Sequence, residues 1–230
     1  MLDTRAIAEE QMDSEDLDPA TYGLVLRDLA RVNTVTMARR PTIGFLKQVL
    51  AIRPTHPLKI LDVGFGDGDM LRTIARWAKR QNVKVELAGI DLNPRSANVA
   101  GGATPSDMAI DYRTGDYAGL AGQGWDIILS SLVAHHMTHP QLSEFLRFMD
   151  KEAKCGWFIN DLHRHGFAYL GYPLLARIMG WHRIVREDGQ LSIARSYRPH
   201  EWPPILSEAG VTGAQVARRF PFRLCAQKIY

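Results

Sequence analysis

The 230 residues carry a net charge of +3, with 46% hydrophobic and 23% charged side chains, which fits one globular α/β domain with additions and excludes a disordered or fibrous chain. Two cysteines, Cys155 and Cys225, exclude a disulfide framework, and no Cys/His grouping has ligand spacing, so no metal is expected. The small charge and scattered basic residues argue against a nucleic-acid partner. The start Met-Leu-Asp-Thr-Arg is unlike a signal peptide, and no apolar run reaches the roughly 20 residues of a membrane span. The expectation is a cytoplasmic chain without stable membrane insertion.

In chain order, the acidic stretch Glu9 to Asp18 is expected to be a mobile or loosely docked arm. From Pro19 to Ile52 the pattern is helical. Tyr22, Val25, Leu26, Leu29 and Val32 make one apolar stripe, and Ile43, Phe45, Leu46, Val49 and Leu50 make another. Pro54 and Pro57 close this region, which reads as residues 1–56, an arm and helical cap before the main domain, residues 57–230.

The main domain opens on Lys59-Ile-Leu-Asp-Val-Gly-Phe-Gly-Asp-Gly-Asp-Met-Leu71. An apolar run carrying Asp62 breaks into Gly64, Gly66 and Gly68, and then Met70, Leu71, Ile74, Ala75 and Ala78 recur at helical spacing. The pattern predicts strand, tight turn and helix, with the glycines letting a ligand approach the backbone. The spacing is not Gly-x-Gly-x-x-Gly, and no Lys-Ser/Thr follows for a phosphate loop. Asp67 and Asp69 would repel a pyrophosphate, whereas a ligand bearing a cation suits this turn. S-adenosylmethionine, with its sulfonium and ammonium groups, is such a ligand.

Further strands are expected at Val83–Asp91, Ala109–Thr114, Trp125–Ser131 and Gly156–Asp161. A short helix opens at Leu92-Asn93-Pro94, and another spans His139 to Glu152 with Leu142, Phe145, Leu146 and Met149 inward. This alternation predicts a parallel, doubly wound sheet. Gly166 to Met179 is apolar, aromatic-rich and helical in spacing. A polar connection containing Asp188-Gly189 is expected next, then a helix from Pro199 to Ala209 and a terminal hairpin from Val211 to Ile229.

A glycine turn after the first strand, Asp91 ending the second, Gly115-Asp116 after the third and a closing hairpin together resemble a class I S-adenosylmethionine-dependent methyltransferase. The strongest parts are Leu61 to Gly68, Ile90 to Pro94 and Ser130-Ser-Leu-Val-Ala-His-His-Met137. The last resembles the small-molecule branch that includes the quinone-ring methyltransferases. Phe65 and Asp67 depart from that pattern without removing a glycine. The resemblance implies a Rossmann-like seven-stranded sheet with an antiparallel last strand, here with a helical insert at about 164–198. It also implies S-adenosyl-L-methionine held by Asp62, Gly64, Phe65, Gly66 and Gly68 around the methionine end. Asp91 would take the ribose, Leu92, Asp116 and Tyr117 the adenine, and Ser130 and Leu132 the side nearest the acceptor. Asp91 also suits a helix cap, and Gly115-Asp116 a plain turn.

Two histidine clusters stand at predicted strand ends, His135-His136 and His163-Arg164-His165, where doubly wound sheets bind ligands. His135 or His163 is the candidate base for an oxygen or nitrogen nucleophile, with Asp161 orienting the imidazole and Arg164 neutralising a developing phenolate or carboxylate. His136 has a structural alternative, holding its loop. The apolar stretch from Gly166 to Trp181 suits a wall for an aromatic or lipid-like small-molecule acceptor, or a homodimer face. O-methylation is the leading expectation, with C-methylation of a quinone-like ring, or a non-catalytic cofactor-binding protein, as alternatives.

Overall fold

The computed structural model describes residues 2–14, 16–52 and 57–230. Pro54 and the last residues before the boundary at 56 and 57 lie outside them. Two helices come first, α1 (Pro19–Val35) and α2 (Arg39–Ile52). Asp18 starts α1 by accepting from the free N–H groups of Ala20 and Thr21, and Pro19 occupies a position where a missing N–H is harmless.

The sheet is built from β1 (Leu58–Val63), β2 (Val85–Asp91), β3 (Ile110–Thr114), β4 (Ile127–Ser131), β5 (Gly156–Leu162), β6 (Gln215–Arg219) and β7 (Arg223–Ile229). Their order is β3-β2-β1-β4-β5-β7-β6. The first five run parallel, and β7 lies antiparallel to both β5 and β6, as the resemblance implies. Helices α3 (Asp69–Gln81), α4 (Pro94–Ala103) and α5 (His139–Glu152) make the connections.

Parallel strands covered on both faces read as continuous apolar runs, and alternate residues serve opposite faces. Ile60 and Ile127 pack with Phe45 of α2 and Ile74 of α3, while Leu61 and Ile128 pack with Phe145 and Leu146 of α5. The order of strands reverses direction between β1 and β4, so their C-terminal ends open a crevice.

After β5 come α6 (Gly166–Ile178), α7 (Arg183–Arg195), a short 3-10 turn and α8 (Trp202–Glu208). Helix α7 replaces the polar connection expected around Asp188-Gly189. Gly189 permits close packing instead of breaking the chain: a Cβ there would lie 2.3 Å from the Tyr172 ring. Tyr172 is held by donating to the Val185 carbonyl at 2.8 Å. Val25 and Val32 of α1 share one apolar cluster with Ala176, Trp181, Ile184 and Val185, so the N-terminal helix and the insert form a single cap.

The acidic arm is also a correction. Glu10 is buried, and Gln11 and Met12 donate their backbone N–H groups to Asp188 at 3.0 and 2.9 Å. Arg5 anchors the arm further, donating to the Arg195 carbonyl, the Tyr197 hydroxyl and the His135 carbonyl. Its guanidinium stacks 3.8 Å from the Tyr197 ring centre.

Candidate active site

The glycine turn between β1 and α3 takes a left-handed path at each glycine, with φ of 77° at Gly64, 56° at Gly66 and 76° at Gly68. Side chains there would collide as well as strain: a Cβ on Gly64 would meet Val133 at 2.3 Å, and one on Gly68 the Tyr112 hydroxyl at 2.4 Å. Phe65 tucks beneath the turn, above Gly89 of β2, where a Cβ would lie 2.6 Å from its ring. The Gly66 N–H donates to Asp91 Oδ2 and the Asn93 N–H to Oδ1, both at 2.9 Å, fixing Asp91 at the crevice. Burial raises the Asp91 pKa, and these hydrogen bonds oppose the shift.

Asp62 lies behind the turn and is buried. Its Oδ1 has no hydrogen-bond partner among the described residues. Burial pushes its pKa well above the usual range, with Asp69 and Asp91 adding repulsion. A buried carboxyl with a free oxygen at a cavity wall is stabilised in its charged form by positive charge placed beside it. The other two acids already have such a charge: Asp67 pairs with Arg72 at 2.9 Å and Asp69 with Arg39 at 2.6 Å. Their repulsion of a pyrophosphate is therefore weaker than the sequence suggests, and Asp62 carries the preference for positive charge.

A cavity of about 680 Å³ runs from this turn to the cap. Tyr22, Leu26 and Leu29 of α1 line one side, and Phe167, Gly171, Tyr172 and Leu175 of α6 line another. Of the residues singled out from sequence, Asp62, Gly64, Phe65, Gly66, Asp91, Leu92, Tyr117, Leu132, His135 and His136 line it. Gly68, Asp116, Ser130, Asp161, His163 and Arg164 are not in its wall. Gly68 precedes the first turn of α3, and Asp116 accepts from the Ala118 N–H at 2.8 Å. Ser130 turns inward to the Val63 carbonyl at 3.0 Å, while Ser131 lines the cavity with a hydroxyl that has no partner among the described residues.

The two histidine clusters separate. Asp161 Oδ2 accepts the His135 backbone N–H at 2.8 Å, and its Oδ1 lies 2.7 Å from His135 Nδ1. Burial alone would lower the His135 pKa, but Asp161 and Glu10 overcome it and raise the value to about 9. Asp161 is correspondingly held below its ordinary range despite burial, by the same imidazole. Glu10 arrives from the arm. Its Oε1 stands 3.5 Å from His135 Nε2, 3.7 Å from His136 Nε2 and 3.5 Å from Arg195, and accepts from the Ser192 hydroxyl at 2.8 Å. Asp13 Oδ2 lies 3.1 Å from His136 Nδ1.

His163 and Arg164 stand apart from this assembly. The His163 N–H extends the β5 pairing to the Phe222 carbonyl. Burial, then Arg218, His165, Arg198 and Arg164, lower its pKa to about 4. Arg164, fully buried, is spent on Glu201 at 2.5 Å and the Ser196 carbonyl at 3.0 Å. Sequence reasoning missed Glu10 and Asp13 in the cavity's polar wall, and Arg5 and Arg195, which brace that wall from outside it. No spacing links them to His135, because the arm and α7 meet it only through tertiary folding.

Residues 60–155 match the family model described as "Methyltransferase domain". The chain is 28% identical over 198 residues to a ubiquinone biosynthesis O-methyltransferase of Bartonella quintana, covering 81% of this chain and 74% of that protein. The enzyme of that name from Bartonella tribocorum is 30% identical over 179 residues, covering 74% of this chain and 66% of that protein. Among solved structures, the plantazolicin methyltransferase BpumL with a pentazolic analog and S-adenosylhomocysteine superposes with a TM-score of 0.65 at 15% identity, over 89% of each chain. Magnesium protoporphyrin IX methyltransferase from Synechocystis, with bound S-adenosylhomocysteine, gives 0.55 at 18% identity, over 84% of each chain. The family match spans the glycine turn and the solved structures share the fold: the chain is an S-adenosylmethionine-dependent methyltransferase with the class I fold.

Proposed function

We propose that this enzyme O-methylates a small aromatic acceptor whose hydroxyl points at the His135–His136 pair. One observation carries the reading: a single apolar cavity joins the glycine turn and Asp62 at one end to these histidines at the other, under the aromatic face of α6. S-adenosyl-L-methionine is held with its ammonium at Asp62, its ribose hydroxyls at Asp91 and its adenine against Leu92 and Tyr117. The bound cofactor supplies an activated methyl group, so the chain mainly positions the acceptor and receives its proton. Asp161 orients His135 from behind. With its pKa raised to about 9, His135 receives the proton only in its neutral form, so turnover rises with pH towards that value. His163 and Arg164 have no part in it.

The apolar wall favours a phenol, quinol or polyketide-like ring over a nucleic acid. The relatives bear the name of an O-methyltransferase of ubiquinone biosynthesis, which supports oxygen over carbon as the acceptor atom. The test is mass spectrometry of a panel of phenols and catechols incubated with the enzyme and S-adenosylmethionine. An ether methyl is expected, reduced at least tenfold in Asp91→Ala through lost cofactor affinity. A ring methyl, or no product from any phenol, sinks the assignment.

A further inference from the structure

Three potential ligand atoms meet at the polar end of the cavity, at ion-pair distances from Glu10. His135 Nε2 and His136 Nε2 face Glu10 Oε1 across 3.5 and 3.7 Å, and the three atoms all lie within 4.8 Å of each other. The two His–Glu gaps exceed ordinary hydrogen bonds but match the spacing of donors on one ion: bonds of about 2.0–2.2 Å in a tetrahedron set donors roughly 3.4 Å apart. Behind the pair, His135 Nδ1 lies against Asp161 and His136 Nδ1 against Asp13. A carboxylate on Nδ1 keeps a proton there, so an ion arriving at Nε2 displaces the Nε2 proton to solvent and finds the usual support of a metal-bound imidazole. Glu10 is itself held, by the Ser192 hydroxyl and Arg195.

We propose that Glu10, His135 and His136 form a site for one divalent transition-metal ion such as Zn²⁺, completed by docking of the N-terminal arm. Two imidazoles and a carboxylate, without thiolate, suit Zn²⁺, Co²⁺ or Fe²⁺. Three protein ligands leave a fourth position, and all three residues line the cavity, so that position opens towards the acceptor. The site's consequence for turnover rests on the proposed function; ion binding does not. A phenol hydroxyl on the fourth position loses its proton to solvent more readily than a free one. The oxyanion then takes the methyl group, forming O–C as the S–C bond breaks and leaving a neutral thioether. On this view the histidines act as ligands and the metal-bound oxygen needs no separate base.

The test uses the full chain after treatment with a chelator. Zn²⁺ is titrated by calorimetry and Co²⁺ by visible absorption, and the same preparations are titrated with S-adenosylhomocysteine. One equivalent of metal is expected. Glu10→Gln and His136→Ala should each weaken binding at least tenfold, and Asp161→Asn by about 10- to 100-fold. S-adenosylhomocysteine affinity should stay within twofold, which shows that the variants are folded. Absence of stoichiometric binding, or undiminished binding in the Glu10→Gln, His136→Ala double variant, overturns the site. Metal binding by a protein that methylates no phenol would support the site while refuting the proposed acceptor.

Discussion

Asp161 accepts twice from one residue, taking the His135 backbone N–H at 2.8 Å and facing its imidazole Nδ1 at 2.7 Å. The carboxylate thus fixes the loop after β4 and the direction of the ring together. Replacing it with Asn leaves the shape but removes the charge from a buried pair, at a cost of about 3 kcal/mol. Urea unfolding measures that loss. In the metal-free protein the His135 pKa is raised to about 9, so its stabilising contribution is full below the unfolded value of about 6.5 and disappears as pH rises through about 9. NMR titration of the ring should show that transition in the wild type and a lower one in Asp161→Asn.

His163 titrates with the opposite sign. Its pKa falls to about 4, through burial and then the surrounding cations. Between pH 4 and 6.5 the unfolded chain holds the extra proton, so the stabilisation present above about 6.5 is lost as pH falls towards 4. The contribution is on the order of 2 kcal/mol. His163→Phe should flatten the stability profile across this window while leaving methyl transfer within about threefold of wild type. Denaturation at pH 7 and pH 4.5, with one turnover assay, checks both parts.

Asp62 predicts a proton on the move. Burial keeps it protonated well above the usual carboxylate range. The ammonium of an arriving cofactor favours the charged form, so binding should release a proton. Calorimetry with S-adenosylmethionine in phosphate and in Tris should therefore give different heats. In Asp62→Asn the buffer dependence should vanish and affinity fall by about 2 kcal/mol, the scale of a lost charge-assisted hydrogen bond. Equal heats in both buffers for the wild type would refute the assignment.

Gly189→Ala tests the cap. The added methyl would lie 2.3 Å from a Tyr172 ring held at both ends, by the Val185 carbonyl and by stacking on Trp181. Overpacking of this kind costs about 1–3 kcal/mol. The Tyr172→Ala, Gly189→Ala double variant should lose less than the sum of the two single changes, as measured by thermal unfolding.

Much of the fold was legible because its signals are local. Alternating strands and helices, the glycine turn and the inward face of α5 all follow from spacing within a dozen residues. Helix α7 was missed because Asp188-Gly189 looks like a turn when Tyr172 is out of view, and only the packed ring explains the glycine. The cofactor end of the cavity was legible through Asp62, Gly64, Gly66 and Asp91 for the same local reason. The polar end was half visible. His135-His136 stood out, but Glu10 sits in an acidic arm that resembles many solvated segments, and its burial depends on Ser192 and Arg195 of the distant α7 and on Arg5, which anchors the arm there. His163 misled because a strand end shows that a residue is near the crevice, and not which way its ring turns.

Val25 and Val32 of α1 lie in one apolar cluster with Trp181, Ile184 and Val185. Neither the first helix nor the insert can shift without exposing that cluster, so a substitution that loosens one of them should loosen the other, and the roof of the cavity stands or falls as one packed unit.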